Sequence, residues 1–434
     1  MADEFPEHCN RNQCGRLLKT LYGLKQSPRK WYNTIHAALI SLGFTRLDSD
    51  HSIFILNRDG RCLYLCVYVD DILILGPSLD DFSWIKAELS KQFDVVDNGP
   101  VDRFLGIDII QYNGSIFLNQ GQYIEKVLKY FGMDECRPVK TPFNDNKVLH
   151  PRDSTVTAEA IQAHSASVIN SDLANQISSL TIADIESVMR SFTSLLDAVP
   201  KPATAAEVTD YQERIGCLIW LMVSTRPDIA FTVTKLARYA HNPDKSHFDA
   251  LKRVFRYLKG TKHLSIRYRR SIEPLFGYVD SDWAGKHAEN SLSTSGFIFL
   301  LAGGPISWAS KKQSIVALSS TEAEYVAISL ATQEVVWLHQ FLSELGLAEF
   351  IKKPTHIYED NKGAIDLSKN PQFHQRTKHI DMRHHHIRGH VADGTCAFPK
   401  IGTDNQVADG LTKPLGSFKH DRFLSLLGMV NLPV

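Results

Sequence analysis

Six acidic residues sit where their surroundings could turn them to chemistry: the adjacent pair Asp70 and Asp71 inside an apolar stretch, and Asp280, Glu324, Asp360 and Asp409 further along. Asp280 directly follows the apolar segment LFGYV and Asp360 directly follows HIYE, so both are expected at strand ends of one sheet. A cleft that gathers four carboxylates cannot keep them all ionised without a counter-charge, which implies divalent metal. Oxygen-only donors suit Mg2+ or Mn2+. Taken singly, each acid also has an ordinary explanation. Asp70 and Asp71 fit a turn, Asp409 fits the first turn of a short helix, and strand-end acids are usually solvated.

Glu324 has a close competitor in Glu322, since both fall at the start of a long helix. Two positions apart on a helix means about 200° of rotation, so only one can face a sheet. Glu324 continues into the apolar stripe Ile328, Ala331, Val335 and Leu338, whereas Glu322 continues into Val326, Ser329 and Gln333. Two capping boxes are open, Thr321 with Glu324 or Ser319 with Glu322. The second leaves Glu324 available for chemistry, and the stripe favours it.

These residues need elements to hold them. Tyr22 to Ser41 reads as a loop entering a helix, Ser52 to Asn57 as a strand, and Arg58-Asp59-Gly60 as a turn. The apolar runs Cys62–Val69 and Ile72–Leu75 then place Asp70 and Asp71 at a hairpin tip. From His150 to about Ala206 the texture becomes Ser, Thr, Ala and isolated acids without period, which reads as a flexible insertion or linker. Glu207 to Arg270 is helical in pattern, with Phe248, Leu251, Phe255 and Leu258 on one face and Lys252, Arg256 and Lys259 on another. That basic face could meet a phosphate backbone, or it could simply be solvated. Further on come a strand, Leu275 to Val279, two apolar segments, Phe297–Leu301 and Ile306–Trp308, a helix over about 321–345, and a strand, His356 to Glu359. Three antiparallel strands, a crossover helix and a further strand imply one mixed sheet.

Composition sets the outer limits. A chain of 434 residues with 43% hydrophobic and 22% charged residues is long enough for several folded domains. Lys plus Arg equals Asp plus Glu at 48 each, yet the charge is segregated: eleven bases face two acids between Lys235 and Arg270, while eight acids face three bases from Pro151 to Asp210. Seven scattered cysteines without a C-x-x-C pair argue against structural zinc and for a reducing compartment. The start MADEFPEH lacks the order of a signal peptide, and the longest central apolar run, Leu218 to Val223, is far short of a membrane span. An intracellular protein, in cytoplasm or nucleus and not secreted, is the expectation.

Five segments occur in a fixed order: GYVDSDWAG, LSSTEAEYVA, YEDNKGAI, TKHIDMRHHHIR and NQVADGLTKPL. Together they resemble the ribonuclease H domain of copia-type retrotransposon polyproteins. Upstream, LYGLKQSPRKWY at 21–32, YVDD at 68–71, FLGIDI at 104–109 and TRPDIAF at 225–231 resemble the reverse transcriptase of the same elements. The resemblance runs from about Leu17 to the end, interrupted at 150–206. It implies a mixed α/β chain: a partial polymerase palm with its YVDD hairpin at 1–149, the insertion at 150–206, a basic thumb or connection at 207–272, and an RNase H-like domain at 273–434 with a five-stranded mixed sheet flanked by helices.

The same resemblance places the metal-binding acids of the second domain on Asp280, Glu324, Asp360 and Asp409, with two Mg2+ or Mn2+ ions cleaving the RNA strand of an RNA/DNA hybrid. It makes Asp70 a polymerase metal ligand, with Asp71 assisting, and puts Lys25, Gln26 and Arg29 beside template and nucleotide. The phosphates of the hybrid would meet Lys252, Arg256 and Lys259. The family's first polymerase acid belongs to a stretch resembling DVKTAFLNG ahead of LYGLKQ, and nothing before Leu21 matches it, so little DNA synthesis by this polypeptide alone is expected. The run His384-His385-His386 is not expected to chelate, because consecutive helical positions point in different directions, and His390 is at most an aid to proton transfer. The competing expectation is a translated relic that binds nucleic acid or is inert.

Overall fold

The computed structural model describes residues 21, 23–144, 146–152, 202–283, 292–369 and 381–432. Most of the expected insertion at 150–206, the first part of TKHIDMRHHHIR and the side chain of His384 lie outside the described residues. The chain forms two compact units, one of residues 1–101 with 340–348, the other of 102–339 with 349–434.

In the first unit helix α1 (Ser27–Ser41) opens on Pro28, whose missing N–H costs a first turn nothing. Strands β1 (Thr45–Arg46), β2 (Ile53–Arg58), β3 (Arg61–Tyr68) and β4 (Asp71–Leu75) make an antiparallel sheet in that order, and helix α2 (Leu79–Leu89) follows. Leu63, Leu65 and Val67 alternate inward along β3 and bury with Ile35, Leu39, Phe54, Ile85 and Leu89. The β2–β3 turn carries Asp59 and Gly60 at φ 53° and 74°, the backbone a two-residue hairpin loop demands.

The second unit has two five-stranded sheets. The first is antiparallel throughout, ordered β14-β8-β7-β6-β5 from β5 (Arg103–Phe104), β6 (Ile107–Tyr112), β7 (Ser115–Asn119), β8 (Leu264–Arg269) and β14 (Met429–Asn431). Helices α3 (Gly121–Tyr130), α4 (Ala205–Ser224), α5 (Ala230–Ala237) and α6 (Lys245–Gly260) share a core around Ile124, Tyr211, Leu218, Val233, Val254 and Phe255. The helical expectation for 207–272 needs one correction, since its end is strand β8. The reason is local: Leu264, Ile266 and Tyr268 alternate with Ser265, Arg267 and Arg269, a period of two.

The second sheet is ordered β11-β10-β9-β12-β13, from β9 (Phe276–Asp282), β10 (Thr294–Leu301), β11 (Gly304–Lys312), β12 (Thr355–Tyr358) and β13 (Cys396–Ala397). Its first three strands are antiparallel, and β12 and β13 join in parallel. This is the mixed five-stranded sheet expected, with helix α7 (Ser320–Glu344) as the crossover. Helices α8 (Lys362–Lys369), α9 (Asp381–Ala392), α10 (Asp409–Thr412) and α11 (Ser417–Leu426) follow among the described residues.

The TRPDIAF segment forms a buried ionic knot between α4 and α5. The Arg226 guanidinium donates to both Asp228 oxygens at 2.8 and 2.7 Å, the Tyr257 hydroxyl donates to Asp228 at 2.6 Å, and His420 on α11 meets that hydroxyl at 2.8 Å. Burial opposes the Asp228 charge, but Arg226 and Tyr257 outweigh it and hold the carboxyl below its usual range. No described helix is long and apolar enough to cross a membrane.

Candidate active site

Asp280, Glu324 and Asp360 each present a carboxylate oxygen within 4.8 Å of the other two, the metal-capable grouping found among the described residues. Asp280 comes from β9, opposite Gly296 of β10; the strand continues to Asp282, so Asp280 lies within it rather than at its end. Asp360 follows β12, which stands parallel to β9 and so brings its C-terminal end to the same side. Glu324 comes from the first turns of α7. There Ser319 accepts the N–H of Glu322, and the Glu322 carboxylate turns back to accept the N–H of Leu318 at 2.8 Å. Glu322 therefore takes the capping role and Glu324 faces the sheet, with Ile328, Ala331, Val335 and Leu338 buried below it. Val326 and Ser329 are buried too, so the helix is covered on more than the one stripe.

Asp409 falls outside this 4.8 Å grouping but near enough for its charge to act on Asp280. Its Oδ1 lies 2.8 Å from the ammonium of Lys413, one turn later. The Thr412 hydroxyl donates to Asp280 Oδ2, which ties α10 to β9. Two glycines allow the approach of the surrounding elements. A Cβ on Gly296 would come within 2.8 Å of Leu411 and Thr412, and one on Gly363 within 2.8 Å of the Thr321 hydroxyl, so α10 can lie on β10 and α8 against the start of α7.

Burial dominates the electrostatics. It pushes the Asp280 carboxyl up to about 7, with Asp409 and Asp360 adding to the rise and Lys413 and Thr412 opposing it. Burial and then Glu359, Asp280 and Asp360 carry Glu324 well above its ordinary range, and burial likewise raises Glu359, Asp409 and Asp282. Glu324 Oε2 and Glu359 Oε2 are buried with no hydrogen-bond partner. Orphaned buried oxygens among crowded acids cost free energy unless a cation compensates them. An all-oxygen donor set of this sort fits Mg2+ or Mn2+.

Three participants escaped the sequence reading. Glu359 is fully buried beside the trio, and the alternation of β12 marked it, since Thr355 and Ile357 point inward and Glu359 is next in phase. Lys413 and Thr412 carry weaker signals, their spacing from Asp409 on one helical turn.

The other expected residues lie elsewhere. Asp70 and Asp71 are exposed on the β3–β4 hairpin, where Tyr68 pairs with Asp71 and Val69 takes a φ of 52°. A branched residue with that backbone is strained by roughly 1–3 kcal/mol. The Trp31 indole N–H donates to the Val69 carbonyl and ties the hairpin to α1. Lys25, Gln26 and Arg29 are exposed at the entrance to α1, and no third acid joins Asp70 and Asp71 in a metal-capable group among the described residues. On α6 Lys252 is exposed and Lys259 half-buried, but Arg256 commits its Nε–H to the Arg137 carbonyl at 2.7 Å. His385 is exposed, His386 packs 4.7 Å from the His390 ring, and His390 pairs with Asp393 at 3.3 Å; none of the three belongs to the metal-capable grouping among the described residues.

Residues 4–145 match a family described as reverse transcriptase (RNA-dependent DNA polymerase). Over 417 residues the chain is 36% identical to the retrovirus-related Pol polyprotein from transposon TNT 1-94 of Nicotiana tabacum, covering 95% of this chain and 28% of that protein. It is 35% identical over 423 residues to the Pol polyprotein from transposon RE1 of Arabidopsis thaliana, covering 97% of this chain and 25% of that one. The chain thus spans about a quarter of the length of these curated relatives. The ordered motifs, the sheet topology and these identities lead to one assignment: the chain belongs to the copia-type retrotransposon Pol polyproteins and carries part of their reverse-transcriptase region.

Proposed function

We propose that this chain cleaves the RNA strand of RNA/DNA hybrids, leaving 5′-phosphate and 3′-hydroxyl ends, with Asp280, Glu324, Asp360 and Asp409 as metal ligands. The observation that carries the reading is the approach of three carboxylates from β9, α7 and the end of β12, two of them buried and Asp360 half-buried, with Lys413 as a partial counter-charge. Bound there, Mg2+ or Mn2+ would activate a water and neutralise the leaving 3′ oxygen. Thr412 fixes the Asp280 carboxylate by its hydroxyl bond, and the Ser319–Glu322 cap keeps Glu322 out of the way of Glu324. Residues 273–434 form the nuclease part in this reading, and Lys252 and Lys259 on α6 face the backbone phosphates of the hybrid, which is recognised by shape and 2′-hydroxyls.

The polymerase half is assigned the nucleic-acid contacts of its family, through Lys25, Gln26 and Arg29, without DNA synthesis by this polypeptide alone. Asp70 and Asp71 lack a third carboxylate partner among the described residues, and polymerase chemistry holds its metal from two segments.

The test is the purified protein on an end-labelled RNA/DNA hybrid with Mg2+, beside Asp280→Asn. Cleavage by the wild type that disappears in the variant is the expected result. Equal cleavage by both would remove these carboxylates from the mechanism, and none by either would favour an inert nucleic-acid-binding remnant.

A further inference from the structure

Lys413 pairs with Asp409 and is close enough to Asp280 and Asp282 to feel their charges, yet a two-metal reaction gives it no part. Its position is built rather than incidental. The backbone N–H of Lys413 donates to the Asp409 carbonyl at 3.1 Å, the preceding Thr412 is bonded to Asp280, and the close approach at Gly296 holds that turn on β10. From there the ammonium reaches Asp409 Oδ1 at 2.8 Å, where the Asp409 side chain is only 10% exposed. Burial disfavours the ammonium charge, but Asp280, Asp409 and Asp282 outweigh it.

An exposed pair of this spacing on a helix would contribute little and carry no role. Here one carboxylate, Asp409, is in contact with the cation and two more, Asp280 and Asp282, act on its charge, and a divalent ion bound to Asp409 would compete for the same oxygen. Repulsion between the two cations would require the ammonium to leave, and its own side chain, 38% exposed on a flexible stem, has a route to solvent.

We propose that Lys413 is a built-in counter-cation of the carboxylate site, which a divalent ion must displace from Asp409, so that this lysine sets how much metal the site requires. The inference rests on the reading of Asp280, Glu324, Asp360 and Asp409 as metal ligands. Lys413 is in this sense a positioning residue that acts through Asp409, and it need not touch the substrate.

The experiment is calorimetric titration of the metal-stripped 434-residue chain with Mn2+, comparing wild type, Lys413→Met and Lys413→Arg. Loss of the charge is expected to tighten Mn2+ binding about tenfold or more, because the site keeps its acids and loses its competitor. Lys413→Arg retains the charge and should stay within about threefold of the wild type by the same argument. If the Met variant fails to fold, Lys413→Gln repeats the comparison. Equal affinity of wild type and uncharged variant, or no Mn2+ binding by either, would overturn the proposal. A clear affinity difference in a protein that cleaves no hybrid would leave it standing and overturn the cleavage reading instead.

Discussion

Asp280→Asn should stabilise the metal-free protein while removing its response to metal. The carboxylate oxygens of Asp280, Glu324 and Asp360 lie within 4.8 Å of one another, and two unit charges at that separation repel by about 3 kcal/mol at an effective dielectric near 20. The rise of the Asp280 carboxyl from 3.8 to about 7 corresponds to about 4 kcal/mol of penalty on its charged form. Burial supplies the larger share of that penalty and repulsion from the neighbouring acids adds to it, while Lys413 offsets part, so a gain of about 2–4 kcal/mol is expected at pH 8 in EDTA. Asparagine can still accept the Thr412 hydroxyl, so little else is lost. The pH dependence follows from the direction of the shift. An acid that holds its proton more firmly when folded subtracts stability as pH rises from about 3.8 to about 7, and the subtraction is complete above that. Variant and wild type should therefore converge below about pH 4 and differ fully at pH 8. Urea denaturation with and without Mg2+ measures this, with Mg2+ raising the midpoint of the wild type alone. A variant no more stable than wild type in EDTA at pH 8, or a gain that persists at pH 4, would refute the electrostatic account.

Four further outcomes are expected. Arg226→Leu strands Asp228 in the core and should cost about 3–5 kcal/mol in urea denaturation, whereas Arg226→Leu with Asp228→Leu should recover much of that loss. Gly296→Val puts a Cβ 2.8 Å from Leu411 and Thr412, so it should cost about 1–3 kcal/mol and impair hybrid cleavage by shifting Asp409. Lys252→Ala, at an exposed site, should lower the salt dependence of hybrid binding by about one unit of log–log slope without changing the fold, as read by fluorescence anisotropy across a salt series. Primer extension on an RNA template with Mg2+ should show no incorporation by this chain, and incorporation that vanishes in Asp70→Asn would contradict that expectation.

Local pattern carried much of the secondary structure. The stretch Ser52–Asn57 with its Arg58-Asp59-Gly60 turn appears as β2 and the following hairpin, and the helix expected over 321–345 spans Ser320–Glu344. Both follow from short-range physics: strands alternate, helices repeat every 3.6 residues, and tight turns need unusual φ values. Register arguments also reached into the site, where one helical stripe separated Glu324 from Glu322. The same alternation would have exposed Glu359 as an inward acid on β12 and LSIRYR as strand β8 rather than helix.

Residue type and spacing singled out Asp280 and Asp360 behind apolar strands, put Glu324 rather than Glu322 on the apolar stripe of α7 and implied a mixed C-terminal sheet, while Asp409 came from the resemblance carried by the ordered motifs. Tertiary structure alone decided that Asp280, Glu324 and Asp360 meet while Asp409 pairs with Lys413, that β14 closes a sheet begun by β5, and that Arg226, Asp228, Tyr257 and His420 form one knot. The physical reason is distance along the chain. Periodicity reports which way a side chain points from its own element, but which elements pack together depends on burial summed over the whole core, and the charge of a carboxylate depends on the neighbours that packing brings.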